Sequence, residues 1–367
     1  MRIGIAGAGQ LGRMLALAGL PMGLRFLLLD AREDACGGQV APLITGALDD
    51  PEALRRLGRE CDLVTFEVEN IPAAAAAAAA EFCPVQPPPG ALAAAQDRLH
   101  EKRLFEAVGI PVAPYRTIDA EKDLPTALAE LGAPAVLKTR RMGYDGRGQR
   151  FVHDADDAFE AWQALGGVPM VLEQRIEFDR EVSLVGVARA SGERRYYPLT
   201  HNVHRDGILA TSVAPHADPA LQQLAERHVG AVLDRLGYGG VLTMEFFVVD
   251  GRLLANEMAP RVHNSGHWTI EGAATSQFEN HLRGILDLPL GDTSVRGHAG
   301  MVNFLGTLPD RSAVLTVPGA HYHAYGKHPL PGRKIGHATV VADDAAAVAA
   351  ALARLEALAV APAGDCD

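Results

Sequence analysis

Arg140-Arg141-Met142-Gly143-Tyr144-Asp145-Gly146-Arg147-Gly148-Gln149 comes just after an apolar run that ends in Lys138. Three closely spaced glycines suit neither a strand nor a helix, because each adds backbone entropy to be lost on folding. They suit a loop whose amides come close to phosphate oxygens. Arg140, Arg141 and Arg147 add positive charge, and Asp145 adds a carboxylate able to handle a proton. The stretch reads as a lid over phosphates. Lys138, at the end of the preceding strand, then acts as a point charge on α- or β-phosphate oxygens.

Working outward, residues 2–6 form an apolar strand, followed by Gly7-Ala8-Gly9-Gln10-Leu11-Gly12 and a helical pattern to residue 20. Further strands are expected at 24–29, ending before Asp30, and at 61–66, leading into Glu67-Val68-Glu69-Asn70. This alternation predicts a doubly wound parallel sheet. Pro72 opens a helix of eight alanines, and Pro87-Pro88-Pro89-Gly90 ends the unit. A helix and an apolar run between about 96 and 112 lead to strands at 135–138, 151–153, 170–174 and 181–187. An Asp250-Gly251 turn signal sits between strands 241–249 and 253–258. Strands at 302–308 and 339–342 and a helix over 344–358 complete the pattern. The expected class is α/β and α+β.

The chain has 367 residues, too many for one ordinary core, so two or three domains are expected. Its 48% hydrophobic and 22% charged residues are those of a globular protein. A net charge of -11 argues against nucleic acid or an anionic membrane as partner. Cys36, Cys61, Cys83 and Cys366 show neither zinc-site nor disulfide spacing. The first residues run straight into a strand, leaving no room for a signal peptide, and no run spans a bilayer; the expected compartment is the cytoplasm.

Gly7, Gly9 and Gly12, with Asp30 ending the next strand, match a dinucleotide fingerprint. The same turn also serves any other anion, or none. Glu173-Gln174-Arg175-Ile176 followed by Glu181 reads as a connector whose backbone meets an adenine edge, with Glu181 accepting from ribose hydroxyls. Glu245 and Glu257 lie on adjacent apolar strands, where carboxylates are costly without a cation. A two-residue turn would pair Glu245 with Asn256; a three-residue loop over 250–252 pairs it with Glu257. Joint metal coordination therefore predicts the longer, bulged turn, and hard oxygen ligands beside a polyphosphate imply Mg²⁺. The polar segments 201–206 and 261–267, and the basic turn Pro331-Gly332-Arg333-Lys334, are further candidates, the last as a phosphate site.

Taken together these segments resemble the ATP-grasp ligases. Residues 7–14, 142–149, 197–202, 259–267 and 331–337 resemble the N5-carboxyaminoimidazole ribonucleotide synthetase family along essentially the whole chain. The resemblance implies an N-terminal Rossmann-like domain over 1–95, an ATP-grasp domain over 96–290 with a mobile small lobe at about 113–175, and a small β-rich C-terminal domain over 291–367. It implies that bicarbonate attacks the γ-phosphate of ATP to give carboxyphosphate, whose CO₂ is captured by the amine of 5-aminoimidazole ribonucleotide. Carried over, the ATP site comprises Arg98, Lys138, Gly143, Tyr144, Asp145, Gly146, Arg147, Gly148, Gln149, Glu173, Gln174, Arg175, Ile176, Glu181, His204, Asn256 and Glu257. Glu245 and Glu257 hold Mg²⁺. Gln10, Leu11, Arg333 and Lys334 bind the ribonucleotide, with Tyr144, Asp145 and Arg147 from the lid. Asp145 is the partner of the amine, and His263 and Asn264 place bicarbonate or the imidazole. The family also implies a homodimer, and has glycine where this chain has Met142.

Other readings keep the ATP-grasp fold but change the acceptor, as in formate-dependent glycinamide ribonucleotide transformylase or biotin carboxylase. Thr200-His201-Asn202 and Arg333-Lys334 argue against both. A nicotinamide-dependent oxidoreductase built on the first glycine turn and a non-catalytic ATP-binding module are the readings from other classes.

Overall fold

The computed structural model describes residues 1–143 and 146–360. Strands β1 (Arg2–Ala6), β2 (Arg25–Asp30), β3 (Leu43–Thr45) and β4 (Leu63–Phe66) form a parallel sheet in the order β3-β2-β1-β4. All four residues of β4 are buried, as a strand covered on both faces requires. The doubly wound expectation is met. β3 was not legible, since three residues carry no periodicity. The helix Pro51–Glu60 is capped by Asp50, whose carboxylate accepts from the Glu52 amide at 2.9 Å. The alanine tract becomes the helix Ala73–Ala79, with Ala75, Ala76, Ala78 and Ala79 buried.

Strands β5 (Tyr115–Ile118), β6 (Ala135–Thr139), β7 (Gln149–Val152) and β8 (Met170–Gln174) form an antiparallel sheet in the order β5-β8-β6-β7. It has its own core around Leu137, Trp162 and Leu172. The lid joins β6 to β7, closed by the Thr139 amide donating to the Gly148 carbonyl at 2.8 Å.

The third sheet contains β9 (Arg180–Ala188), β10 (Arg194–Tyr196), β11 (Thr200–Arg205), β12 (Ile208–Ala214), β13 (Gly240–Val249), β14 (Arg252–Ala259), β15 (His298–Leu305), β16 (Ala320–Ala324) and β17 (Lys334–Ala342). Its order is β14-β13-β9-β11-β12-β15-β17-β16, with β10 beside β9. The helix Pro219–Leu236 covers one face through Val229 and Leu233. Asp218 caps its start and Gly237, at φ +56°, ends it. The C-terminal strands continue this sheet through the β12–β15 pairing, in which Thr211 lies opposite Val302. The first sheet docks on it through a joint cluster that includes Leu15, Phe26, Val185, Trp268 and Phe278. Among the described residues no helix is long and apolar enough to cross a membrane.

Candidate active site

β6 and β8 run side by side, and this places Lys138 beside Glu173, Nζ to Oε2 at 2.9 Å. A second ammonium, Lys102 on the helix Arg98–Ala107, reaches Glu173 Oε1 at 3.2 Å. All three are buried. Burial alone would raise the Glu173 pKa, but Lys138, Lys102 and Arg98 outweigh it and hold the carboxyl down at about 2. Burial lowers the Lys138 pKa against the pull of Glu173. Opposite them Glu181 on β9 contacts His204 Nδ1 on β11. Burial would lower the His204 pKa, but Glu181 and Glu245 reverse this and raise it. Lys138, Glu173, Glu181 and His204 border a cleft of about 850 Å³, which also takes in Gln149, Gln174, Arg175, Ile176 and Asn256, while Lys102 stays behind its wall, paired with Glu173. On its wall Phe178 stacks on Phe247, centroids 4.7 Å apart.

The β13–β14 hairpin sets the two acids face to face. Its turn has only the two residues Asp250 and Gly251, both with positive φ, at 48° and 71°. Val249 therefore pairs with Arg252, and the register holds to Phe246 and Ala255. An irregularity then gives Glu245 the partner Glu257, with Asn256 as the extra residue. The predicted pairing is correct, but the three-residue loop is not: the bulge sits in β14 and the turn stays short. Burial first, then the like charge of Glu257, pushes the Glu245 carboxyl up to about 7. Two carboxylates in register on adjacent strands, the Glu245 side chain 12% and the Glu257 side chain 41% exposed at the cleft, fit a hard cation that also keeps water and phosphate ligands. Mg²⁺ takes one or two protein carboxylates and completes its shell with phosphate oxygens and water. Among the described residues no group of three or more His, Cys, Asp or Glu side chains is suited to a metal.

A second cleft, about 580 Å³, lies between the first glycine turn, the lid and the C-terminal basic turn. Gln10, Leu11, Gly143, Arg147, Lys327, Arg333 and Lys334 border it. The glycine turn does not offer its amides to a dinucleotide. The Glu67 carboxylate accepts from the Gly9 amide, and from the Gly12 amide at 2.6 Å. Asp30 accepts from the Ala8 amide at 3.0 Å. An internal acid thus fills the place a pyrophosphate would take, and the nicotinamide reading loses its site. Glu69 pairs with Arg261 deeper in the same cleft.

Arg98, Glu257, His263, Asn264 and Lys334 border both clefts and form their common floor. Arg98 Nη1 lies 3.3 Å from Glu257 Oε2. His263 Nε2 lies 3.5 Å from Glu245 Oε1. Burial first, then Arg261 and Lys334, holds the His263 pKa well below its usual value. Gln277 clamps the His263 backbone, accepting from its amide at 2.9 Å and donating to its carbonyl at 2.6 Å. Asn303 on β15 exchanges two hydrogen bonds with Asn264, at 2.7 and 3.0 Å.

The sequence-predicted residues thus gather in two adjoining clefts with three differences. Gly143 and Arg147 border the second cleft rather than the first, while Gly146 and Gln149 border the first. Gly148 borders neither; its carbonyl closes the base of the lid on Thr139. Tyr144 and Asp145 lie outside the described residues. Met142 has φ +63°, a left-handed conformation that glycine adopts without strain. Sequence reasoning missed Lys102, Lys327, Gln277 and Asn303, which carry no motif. Glu67 and Glu69 had a signal, acids directly after a buried strand, but it did not say what they accept from.

The model of the ATP-grasp domain matches residues 103–278, that of the ribonucleotide synthetase preATP-grasp domain residues 1–96, and that of the phosphoribosylaminoimidazole carboxylase C-terminal domain residues 299–351. N5-carboxyaminoimidazole ribonucleotide synthase of Pseudomonas aeruginosa is 51% identical over 358 residues, covering 98% of this chain and 99% of that protein. The crystal structure of N5-carboxyaminoimidazole ribonucleotide synthetase from Thermus thermophilus superposes with a TM-score of 0.93 at 50% identity, covering 98% of this chain and 99% of the other. N5-carboxyaminoimidazole synthase from Aspergillus clavatus, crystallised with ADP and 5-aminoimidazole ribonucleotide, gives a TM-score of 0.90 at 32% identity over 97% of both chains. With three family models matched in order along the chain and relatives 50–51% identical over 98% of it, the chain belongs to the N5-carboxyaminoimidazole ribonucleotide synthase family of ATP-grasp ligases.

Proposed function

We propose that this chain couples ATP cleavage to the carboxylation of 5-aminoimidazole ribonucleotide by bicarbonate, giving N5-carboxyaminoimidazole ribonucleotide, ADP and phosphate. One observation carries this: a cation-lined cleft with paired acids opens onto a second, basic-ended cleft across a shared floor of Arg98, Glu257, His263, Asn264 and Lys334. Such a floor lets an activated carboxyl group form on one side and be consumed on the other without meeting bulk water.

ATP lies in the first cleft. Lys138 and Arg98 neutralise its phosphates, the backbone around Gln174, Arg175 and Ile176 meets the adenine edge, and Glu181, steadied by His204, accepts from the ribose. Glu245, Glu257 and the bulged Asn256 face the triphosphate end, where the two acids would hold Mg²⁺. The ion supplies charge neutralisation for the transferring phosphoryl group. An oxygen of bicarbonate attacks the γ-phosphorus, ADP leaves, and carboxyphosphate is formed. It breaks down to CO₂ and phosphate, and the exocyclic amine captures CO₂ as a carbamate. Gln10, Leu11, Arg147, Arg333 and Lys334 hold the ribonucleotide, and His263 and Asn264 orient the bicarbonate-derived group. The family resemblance gives Asp145 as the proton partner of the amine and Tyr144 as its neighbour, and it implies a homodimer. Free cysteines at 36, 61 and 83 and the use of ATP accord with a cytoplasmic setting.

Turnover with ATP, Mg²⁺ and ¹⁸O-bicarbonate tests the chemistry. Because the attacking oxygen stays on phosphorus, ¹⁸O is expected in the released phosphate, with ADP formation stimulated by the ribonucleotide. Unlabelled phosphate would rule carboxyphosphate out.

A further inference from the structure

The Ser265 backbone amide points at His263 Nδ1, 3.3 Å away. A backbone N–H can only donate, so Nδ1 presents its lone pair there and the neutral ring carries its proton on Nε2. Ser265 Oγ lies 2.9 Å from the same nitrogen and therefore donates its hydroxyl proton to it. Having given that proton away, Ser265 Oγ accepts from Ser183 Oγ at 2.8 Å. Ser183 in turn accepts from Asn202 Nδ2 at 2.9 Å, and Asn202 Oδ1 accepts from Ser212 Oγ at 2.8 Å. Every bond in this chain runs in one direction, from β12 through β11 and β9 to the imidazole.

The chain is sealed. Ser183, Asn202, Ser212 and Ser265 are at most 3% exposed, so water does not replace a lost partner easily. It is polar material in the middle of a sheet, where apolar side chains would pack at no hydrogen-bonding cost. At its far end Nε2 lies 3.5 Å from Glu245 Oε1, where His263 borders both clefts and a bound anion would share its proton with that carboxylate.

We infer that Ser183, Asn202 and Ser212 are positioning residues that hold His263 as a fixed Nε2–H donor, aimed at an oxygen of the bicarbonate-derived anion. The inference rests on the carboxylation chemistry proposed above. With Nδ1 occupied from behind and Nε2 carrying the proton, the ring offers the substrate no lone pair. His263 is then a hydrogen-bond donor to the reacting carboxyl group and does not act as a base. The proton released by the ribonucleotide amine goes to another group.

The Asn202→Asp substitution tests this because it keeps the shape and inverts the polarity. A carboxylate accepts from both serines, so Ser183 turns its hydroxyl away from Ser265, and Ser265 turns its lone pair towards Nδ1. In the full-length protein labelled with ¹⁵N-histidine, two-bond ¹H–¹⁵N correlation reads the tautomer directly, with His263 assigned through His263→Asn. The wild type is expected to show the Nε2–H pattern. Asn202→Asp is expected to lose that pattern and to lower kcat for carboxylation at least about tenfold, with KM for MgATP unchanged. Ser183→Ala, a small neutral deletion, keeps the test open if the buried carboxylate harms folding; a smaller fall in kcat at unchanged KM for MgATP is expected. An Nδ1–H pattern in the wild type would overturn the inference. So would a folded Asn202→Asp protein with wild-type spectrum and kcat. If the wild type instead forms no carbamate, the reaction fails while the spectrum still reports on the tautomer.

Discussion

Glu173 is held between two buried ammonium groups, and its worth depends on pH in a direction that can be worked out. Its ordinary value of 4.5 falls to about 2 in the fold. A depressed carboxyl contributes stability that is fully present above its unfolded value and is lost as pH falls towards its folded value. The shift corresponds to roughly 3 kcal/mol. Removing the charge leaves Lys138 and Lys102 facing each other without a counter-ion, the costly way to break a buried pair. Glu173→Gln is therefore expected to lower the unfolding free energy by about 3 kcal/mol at pH 7. The gap to wild type should narrow below about pH 4.5, and urea titrations at pH 7, 5 and 3.5 measure it. A constant gap across that range would mean the loss is steric and not electrostatic. Lys138 was legible as a candidate because it precedes the lid in sequence, and Glu173 because it opens the connector that leads to Glu181. Lys102 was not, since a buried lysine on a helix looks like any solvated one until the strands are placed around it.

At the scale of elements, the alanine tract gains a reason it lacks as a sequence. The helix Ala73–Ala79 lies so close to Pro51–Glu60 that a Cβ on Gly58 would come 2.7 Å from the Ala79 carbonyl oxygen and 3.2 Å from its Cα. Helix propensity favours Gly58→Ala by about 1 kcal/mol. Forcing backbone apart in a packed contact costs about 1–3 kcal/mol, so the clash decides the sign. Gly90, exposed in the helix Pro89–Ala95 with nothing within 4 Å of its Cβ position, is the control. There the same change is expected to stabilise by up to about 1 kcal/mol. Thermal unfolding of the two variants should move in opposite directions from wild type; movement in the same direction would leave the helix contact without energetic weight. The β13–β14 hairpin shows the limit of reading elements from sequence. Asp250-Gly251 announced the turn and the acids announced the site, but the bulge at Asn256 leaves no mark in residue type. Period-two patterning does not reveal a one-residue offset that two carboxylates facing a cation would favour.

The whole molecule brings the second cleft together from distant parts of the chain. Gln10 starts the first helix and Lys327 lies between β16 and β17, yet Lys327 Nζ donates to Gln10 Oε1 at 2.9 Å across 317 positions. This is possible because β15, β17 and β16 extend the central sheet, and the N-terminal sheet docks on that same sheet through their joint core. The order of domains was legible in the motifs, but which ends would meet was not, because sequence carries no statement of docking. Burial first, then the neighbouring Arg333, lowers the Lys327 pKa, the behaviour of an ammonium held in a pocket already rich in cations. Such crowding is unfavourable in the empty protein and is relieved when an anion arrives. Lys327→Met keeps the length of the side chain and removes the charge. It is expected to raise KM for the ribonucleotide about tenfold or more, since a hydrogen bond to a charged group contributes roughly 1.5–3 kcal/mol. The proposed assignment puts MgATP in the other cleft, which Lys327 does not border, so the thermal shift produced by MgATP should be retained and only the shift produced by the ribonucleotide lost. If both shifts disappear, Lys327 holds the two ends of the molecule together and is no ligand of the ribonucleotide. If neither changes, the phosphate is gripped from the Arg333-Lys334 side alone.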